Sequence, residues 1–278
     1  MGKLLTTGCS FVWGDELDGY DNNPPTHWDK TFTYKLADTL GLEPVIIAEC
    51  GNSNHKIYRD LIDYLTDPEN DDPEMIFVSW SAFKRHELFE IKEEDFEERQ
   101  KIKRFQHMTQ YSPERFHWLN KENREITELF INLVWNYETP MMHLLTQMKA
   151  LQALCDAKGI KIMQTHFHYR MGFAIQEMHK HQLNDPTYYG KFSTYVKKTI
   201  MEHLRWENSL GFRVWEGCDE LSRDHTDAQQ KDWHDMYYLS RNTEGCKVLE
   251  FMHPCENTHT AYADQIADIT KKLGWKFS

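Results

Sequence analysis

The sequence lacks any long apolar run, and it is short of positive charge. None of its hydrophobic stretches approaches the roughly 20 residues that a membrane-spanning helix needs, so no membrane partner is expected. It has 32 Lys and Arg against 44 Asp and Glu, a formal net charge of −12. The basic residues are interleaved with acids rather than gathered in one block, so nucleic acid is not expected as a partner either.

The sequence also shows no cysteine spacing typical of a zinc site and no pattern typical of a secretory signal peptide. The six cysteines form no CxxC pairs, which argues against a structural zinc site. Strand-like residues begin almost at Met1, so no secretory leader is expected and the thiols are predicted to be free in a reducing cytoplasm. The histidine pairs His166/His168 and His179/His181 have no acids around them in a recognised ligand pattern. We therefore expect no metal and no cofactor.

What the chain does have is a regular alternation of strands and helices in its first eighty residues. Strand patterns at Lys3–Thr7, Pro44–Ala48 and Met75–Ser79 alternate with helical patterns at Thr31–Leu42 and Asn54–Leu65. A β-α-β-α-β order is typical of a parallel sheet with helices on both faces. The sequence thus predicts one α/β domain over 1–278, a three-layer α/β/α sandwich with a mainly parallel, flavodoxin-like sheet.

The middle of the chain departs from this order. An aromatic-rich, charged stretch at about 84–138 is predicted to be a mostly helical insertion over the sheet. The later predicted elements are a helix at Thr139–Lys158, a strand at Ile160–His166, a helix at Val196–Asn208, a strand at Phe212–Trp215, a strand at Lys247–Phe251 and a closing helix at Asn257–Leu273.

Three segments that follow predicted strands carry candidate chemistry. Gly8-Cys9-Ser10-Phe11 places a serine at a strand-to-helix turn, where backbone N–H groups can bind an oxyanion, although serine is also a common helix cap. Cys50-Gly51-Asn52-Ser53-Asn54 brings a glycine N–H and two amides to the next turn, with Asn54 as a possible N-cap.

Near the end, Glu250-Phe251-Met252-His253-Pro254 puts a carboxylate three residues before a histidine. That spacing lets the acid fold back and orient the imidazole as a base. The same residues are also compatible with an ordinary surface loop ahead of a helix. Glu256-x-x-His259 repeats the spacing. We favour His253 because a strand precedes it and proline follows it, whereas His259 is predicted to pack or cap within the closing helix.

Together these segments resemble the conserved blocks of SGNH (GDSL-like) hydrolases. Gly8-Cys9-Ser10-Phe11 resembles the nucleophile block in its "GCSF" form, and Gly51-Asn52-Ser53-Asn54 resembles the second block. Glu250-x-x-His253-Pro254 resembles the last block. The resemblance covers about the first eighty and the last thirty residues. It implies Ser10 as nucleophile, His253 as base, Glu250 as its orienting acid and the Gly51 N–H in the oxyanion hole.

Two positions depart from the pattern of that family. Its third block is usually Gly-x-Asn-Asp, whose asparagine donates to the oxyanion, whereas this chain reads Ser79-Trp80-Ser81-Ala82. Ser81 is the nearest replacement donor, with Asn52 or Asn54 as others. In other enzymes, loss of one such donor costs about 3–4 kcal/mol of transition-state stabilisation. Glutamate also stands at position 250, where aspartate is usual.

The resemblance implies a serine esterase that hydrolyses a small ester, with O-acetylated carbohydrates among the candidates, through an acyl-enzyme on Ser10. The altered third block favours an alternative, a catalytically weak or inactive SGNH scaffold that acts as a binding module. A transferase that uses the same acyl-enzyme is a further alternative. The expected partner is a small-molecule or carbohydrate ester. The sequence leaves the oligomeric state open.

Overall fold

The computed structural model describes residues 1–17, 28–81, 86–89, 105–108, 138–166, 243–247, 249 and 253–278. In chain order the elements are β1 (Lys3–Thr7), α1 (Ser10–Trp13), a 3-10 helix (Trp28–Lys30), α2 (Phe32–Leu40), β2 (Glu43–Ile46), α3 (Asn54–Thr66), β3 (Met75–Trp80), β4 (His86–Phe89), β5 (Phe105–Met108), α4 (Glu138–Lys158), β6 (Lys161–His166) and α5 (Glu256–Lys272).

Four parallel strands form the central sheet in the order β2-β1-β3-β6. In the register, Leu5 of β1 lies between Val45 of β2 and Ile76 of β3, and Ile76 pairs with Ile162 of β6. The strand order reverses between β1 and β3, so the loops that leave these strands diverge at one edge of the sheet. That edge is where doubly wound sheets bind ligands. The predicted parallel, flavodoxin-like order is confirmed.

Alternate residues of each strand supply two cores, one on each face of the sheet. One core joins Leu5, Ile76 and Trp80 to apolar residues of α3 and α4. The other joins Leu4 and Phe77 to apolar residues of α1, α2 and α5. Helices thus cover both faces, as predicted for a three-layer α/β/α sandwich.

Local capping explains where the helices begin and end. Gly41 ends α2 in the left-handed conformation, with φ 70°, and its N–H donates to carbonyls of the last turn. Ser53 is the N-cap of α3, because its hydroxyl accepts from the Lys56 N–H at 3.1 Å. The prediction that Asn54 caps this helix was wrong by one residue; Asn54 begins the helix and its amide is used elsewhere.

The predicted insertion at about 84–138 is described only in part. The residues described between 86 and 108 form β4 and β5, an antiparallel pair in which His86 lies opposite Met108. These two segments are strands, and the expectation that the insertion as a whole is mostly helical stays a prediction. The other residues of that stretch, and the elements predicted at Val196–Asn208 and Phe212–Trp215, lie outside the described residues.

The predicted strand at Lys247–Phe251 is described only at Lys247 and Leu249. Neither residue is in a strand, but the Leu249 N–H donates to the His253 carbonyl and the Cys255 N–H donates to the Lys247 carbonyl. Within the described ranges, no helix is long and apolar enough to cross a membrane.

Candidate active site

The turn after β1 depends on a glycine. A Cβ on Gly8 would lie 2.4 Å from Val12 Cγ2 and 2.9 Å from the carbonyl oxygen of Ser79. Only a residue without a side chain therefore fits between α1 and β3. The turn sets Ser10, which is 7% exposed, as the first residue of α1 at the carboxyl edge of the sheet.

The chain reverses directly after this serine. The carbonyl oxygen of Ser10 accepts from the N–H of Gly14 at 2.9 Å and of Asp15 at 3.1 Å, and Gly14 has a φ of 81°. Because α1 lasts a single turn, the two acids that follow Gly14 fold back beside it. Glu16 has a φ of 68°, a left-handed conformation that is uncommon for a residue with a side chain.

His253 lies against this reversal. Its Nδ1 is 2.7 Å from Oε2 of Glu16, and its backbone N–H donates to the same oxygen at 3.1 Å. Its Nε2 is 3.6 Å from Oδ2 of Asp15, and its ring packs on that of Phe11 with centroids 5.6 Å apart. The loop before α5 and the turn after β1 therefore meet, so His253 lies next to the segment that carries Ser10.

Within the part of the chain that the structure describes, no hydrogen bond joins Ser10 Oγ to the His253 ring, whose two nitrogens face Glu16 and Asp15. Glu250, the acid predicted from the sequence, lies outside the described residues. Sequence reasoning missed Asp15 and Glu16. The signal it could have used is a glycine followed by two acids shortly after the serine.

The loop after β2 is tied to the turns after β1 and β3. The side chain of Asn52 is fully buried, and its Nδ2 donates to the Gly8 carbonyl at 3.0 Å. Asn54 uses both ends of its amide on Ser81: its Nδ2 donates to the Ser81 carbonyl at 3.0 Å, and its Oδ1 accepts from the Ser81 N–H at 2.7 Å. Gly51, with a φ of 81°, forms the turn just before.

Ser81, the predicted substitute for the missing asparagine, lies at the end of β3. Its side chain is fully buried, and Oγ has no hydrogen-bond partner among the described residues. A buried hydroxyl without a partner retains its capacity to donate. The structure thus gathers Ser10, Gly51, Asn52, Asn54 and Ser81 on the turns that follow β1, β2 and β3.

Comparison with known proteins adds one structural likeness. No protein-family model matches the chain, and no curated protein matches it. Among solved structures, the chain is similar to a protein from Desulfitobacterium hafniense whose name refers to the G-D-S-L family of lipolytic proteins. The two share 13% identity at a TM-score of 0.42, over 97% of this chain and 99% of that one. A likeness at this level does not define the family or the activity of this chain.

A groove of about 720 Å³ lies on the outer side of β2. Its walls come from Trp13 of α1, Trp28, the residues after β2, and α3. The rings of Trp13 and Trp28 meet edge to face with centroids 5.8 Å apart. Its charged lining residues are Glu49, Lys56, Asp60, Asp63 and Asp67. Among the residues described, neither Ser10 nor His253 lines it, so the groove and the serine are neighbours rather than one pocket.

The charges in this groove are mainly negative. Lys56 is already paired, with Glu49 at 3.3 Å and with Asp60 one turn further along α3. Asp63 and Asp67 add two more carboxylates on the same helix. The groove therefore offers aromatic faces in a negative field. In the described ranges no group of three His, Cys, Asp or Glu side chains is arranged to hold a metal ion.

Proposed function

We propose that the chain is a serine esterase of the SGNH type that hydrolyses a small ester through an acyl-enzyme on Ser10. The observation that supports it most is the meeting of two distant segments: His253 packs on Phe11, the neighbour of Ser10, and holds a carboxylate on Nδ1. A histidine that holds a carboxylate on one nitrogen and lies beside the segment that carries a serine has the parts of a nucleophile, base and orienting acid.

In the proposed reaction, Nε2 of His253 takes the proton of Ser10 Oγ, and Oγ bonds to the ester carbonyl carbon. The carbonyl oxygen becomes an oxyanion, which the N–H groups of Ser10 and Gly51 and the Ser81 hydroxyl stabilise. Collapse breaks the bond to the alcohol, which leaves with the proton from His253. Water repeats the sequence and releases the acid. The Ser10 or His253 side chain must turn toward the other for the first transfer.

Ser81 is the preferred side-chain donor in this scheme. Asn54 already donates one N–H to the Ser81 carbonyl, and Asn52 donates to the Gly8 carbonyl. By contrast the Ser81 Oγ has no partner among the residues described. A hydroxyl donor at this point would replace the asparagine that the family places in its third block.

The test is turnover of short-chain p-nitrophenyl esters by the wild type, Ser10→Ala and His253→Asn. We expect each variant to lose about a thousandfold or more in kcat. A fluorophosphonate should label the wild type but not Ser10→Ala. Ser278→Ala, which removes an exposed hydroxyl far along the chain, is the matched control. Turnover that Ser10→Ala leaves unchanged would overturn the assignment of the nucleophile.

The alternative is a scaffold that binds a ligand without turnover. The observation that favours it is the arrangement of the His253 ring, whose nitrogens face Glu16 and Asp15 rather than Ser10. Under this alternative, a broad ester panel gives no product, and the fluorophosphonate leaves Ser10 unlabelled. An acyl-enzyme whose breakdown needs an added alcohol would instead indicate a transferase.

For the substrate, we propose an uncharged or cationic ester, with a sugar ring as one candidate for its alcohol. An alcohol portion that extends from Ser10 into the neighbouring groove would meet the aromatic faces of Trp13 and Trp28, which suit a sugar ring. The groove carboxylates and the net charge of −12 disfavour anionic esters. We expect kcat/KM to be several-fold higher for a neutral p-nitrophenyl ester than for one with a carboxylate on its acyl chain, and the gap to shrink with added salt. Equal rates at low salt would contradict this.

The cytoplasmic location stays a prediction.

A further inference from the structure

We infer that Glu16 is the positioning residue for His253. It is the carboxylate that contacts the His253 ring most closely among the described residues, with Oε2 at 2.7 Å from Nδ1. The side chain of Glu16 is 7% exposed and that of His253 is 15% exposed, so the pair is largely shielded from water. This role deepens the proposed function and rests on it.

The contact favours one tautomer of the imidazole. An ionised carboxylate can only accept hydrogen bonds, so Nδ1 carries the hydrogen and donates it to Oε2. In the neutral ring Nε2 is then left with its lone pair, which is the form that can take a proton from a serine hydroxyl. The second bond, from the His253 backbone N–H to the same oxygen at 3.1 Å, fixes the main chain as well as the ring.

The backbone of Glu16 supports a functional role. Its φ of 68° places it in the left-handed region, which is unfavourable for a residue with a Cβ. Such conformations persist where the surroundings hold them, and they concentrate at functional sites. Here the strained residue directs a buried carboxylate at a histidine that is 237 positions away in the chain.

Asp15 differs from Glu16 in each of these respects. Its carboxylate lies 3.6 Å from Nε2, beyond hydrogen-bond distance, and its side chain is 35% exposed. It faces the nitrogen that must meet Ser10, so it cannot orient the ring for that step. The two adjacent acids therefore have different relations to the histidine, and only Glu16 lies where an orienting acid acts.

The experiment compares Glu16→Ala with Glu250→Ala, and adds Glu16→Gly, which removes the carboxylate in a residue that adopts a positive φ without strain. We expect Glu16→Ala and Glu16→Gly to lower kcat about a hundredfold or more with KM changed less than about threefold. Glu250→Ala should lower kcat by less than Glu16→Ala does. Glu16→Gln keeps an acceptor oxygen but no charge, so its kcat should lie between those of the wild type and Glu16→Ala.

A second readout does not depend on turnover. The ¹⁵N signals of the His253 ring, identified by their loss in His253→Asn, should report a protonated Nδ1 in the wild type. In Glu16→Ala they should report a mixture of both tautomers. Asp268→Asn, an exposed carboxylate on α5, is the control and should leave the signals unchanged.

The outcomes separate the two proposals. A wild type that neither turns over esters nor reacts with the fluorophosphonate, with ¹⁵N signals that still respond to Glu16→Ala, would reject the esterase and retain Glu16 as the residue that orients His253. Ring signals that do not change in Glu16→Ala, or a loss of kcat in Glu250→Ala alone, would overturn the assignment of Glu16.

Discussion

His253 lies three residues before α5 and His259 lies within its first turn. Their surroundings give the two histidines different roles. His259 is fully buried within α5, where its Nδ1 accepts the N–H of Phe32 at 3.2 Å and its ring stacks on the Phe32 ring. Phe32 begins α2, so this histidine satisfies an N–H that has no partner inside its own helix. The prediction that His259 packs or caps within the closing helix is confirmed.

Replacing His259 with phenylalanine keeps an aromatic ring of similar size and removes the acceptor. We expect His259→Phe to lower the free energy of unfolding by about 1–2 kcal/mol, because a buried N–H loses its partner. Urea unfolding followed by circular dichroism measures the change. Thr260→Ala, at the next and exposed position of α5, should change stability by less than about 0.5 kcal/mol. Equal effects of the two substitutions would contradict the capping role.

Cys155 links stability to alkaline pH. Burial raises the pKa of its thiol to about 12, from an ordinary value near 9, and the neighbouring Asp156 adds to the increase. The folded state thus keeps the proton between about pH 9 and pH 12, while the unfolded state loses it. The protonated thiol contributes its full stabilisation below pH 9. The free energy of unfolding then falls as the pH rises through this window, by up to about 1.4 kcal/mol per pH unit.

Cys155→Ala removes this dependence. We expect the wild type to lose stability more steeply than the variant between pH 9 and pH 11 in urea unfolding, although the variant is less stable near pH 7 because a small cavity replaces the sulfur. Parallel curves over that range would show that the thiol does not couple to folding.

At the scale of elements, the turns after the strands control the site more than the strands do. Gly8 passes between α1 and β3, Asn52 holds the Gly8 carbonyl, and Asn54 holds the backbone of Ser81. The Asn52 contact joins the turns after β2 and β1, and the Asn54 contact reaches across to the turn after β3. Because these amides fix loops to one another, the positions of Ser10 and Ser81 depend on the loop after β2.

Gly8→Ala tests this dependence. The new Cβ would overlap Val12 and the Ser79 carbonyl, so we expect a loss of about 1–3 kcal/mol in stability and a lower kcat/KM for the ester. Gly159→Ala is the control: its φ is 73° and nothing lies within 4 Å of the added atom, so it should cost about 1–2 kcal/mol with no effect on kcat/KM. Wild-type kinetics for Gly8→Ala would mean that α1 can move aside.

On the scale of the whole molecule, the end of the chain completes a core that the beginning leaves open. Tyr262, Ala263, Ile266 and Ala267 of α5 fill the face formed by β1, β3 and α2. Lys35 of α2 also pairs with Glu256 of α5 at 3.3 Å. Since His253 lies three residues before α5, the packing of this helix determines where the histidine meets Glu16.

Truncating a core residue of α5 should affect both stability and the site. Ile266 is fully buried, and we expect Ile266→Ala to lower the free energy of unfolding by about 2–5 kcal/mol. Leu273→Ala, at a position 37% exposed, should cost under about 1 kcal/mol. Urea unfolding gives both values. Similar small losses would mean that α5 is not integral to the fold.

The sequence by itself determined the sheet and its edge. The apolar residues of β1 and β3, the helical periodicity of α2 and α3, and the glycines Gly8 and Gly41 are local signals, so the parallel sheet and the turns that carry Ser10, Gly51 and Ser81 followed from them. The tertiary structure alone decided which carboxylate meets His253. Glu16 and His253 are 237 residues apart, and their contact depends on the packing of α5 against α2 and on a strained turn after α1. No local pattern encodes such a contact, because its energy arises only once both segments are buried together.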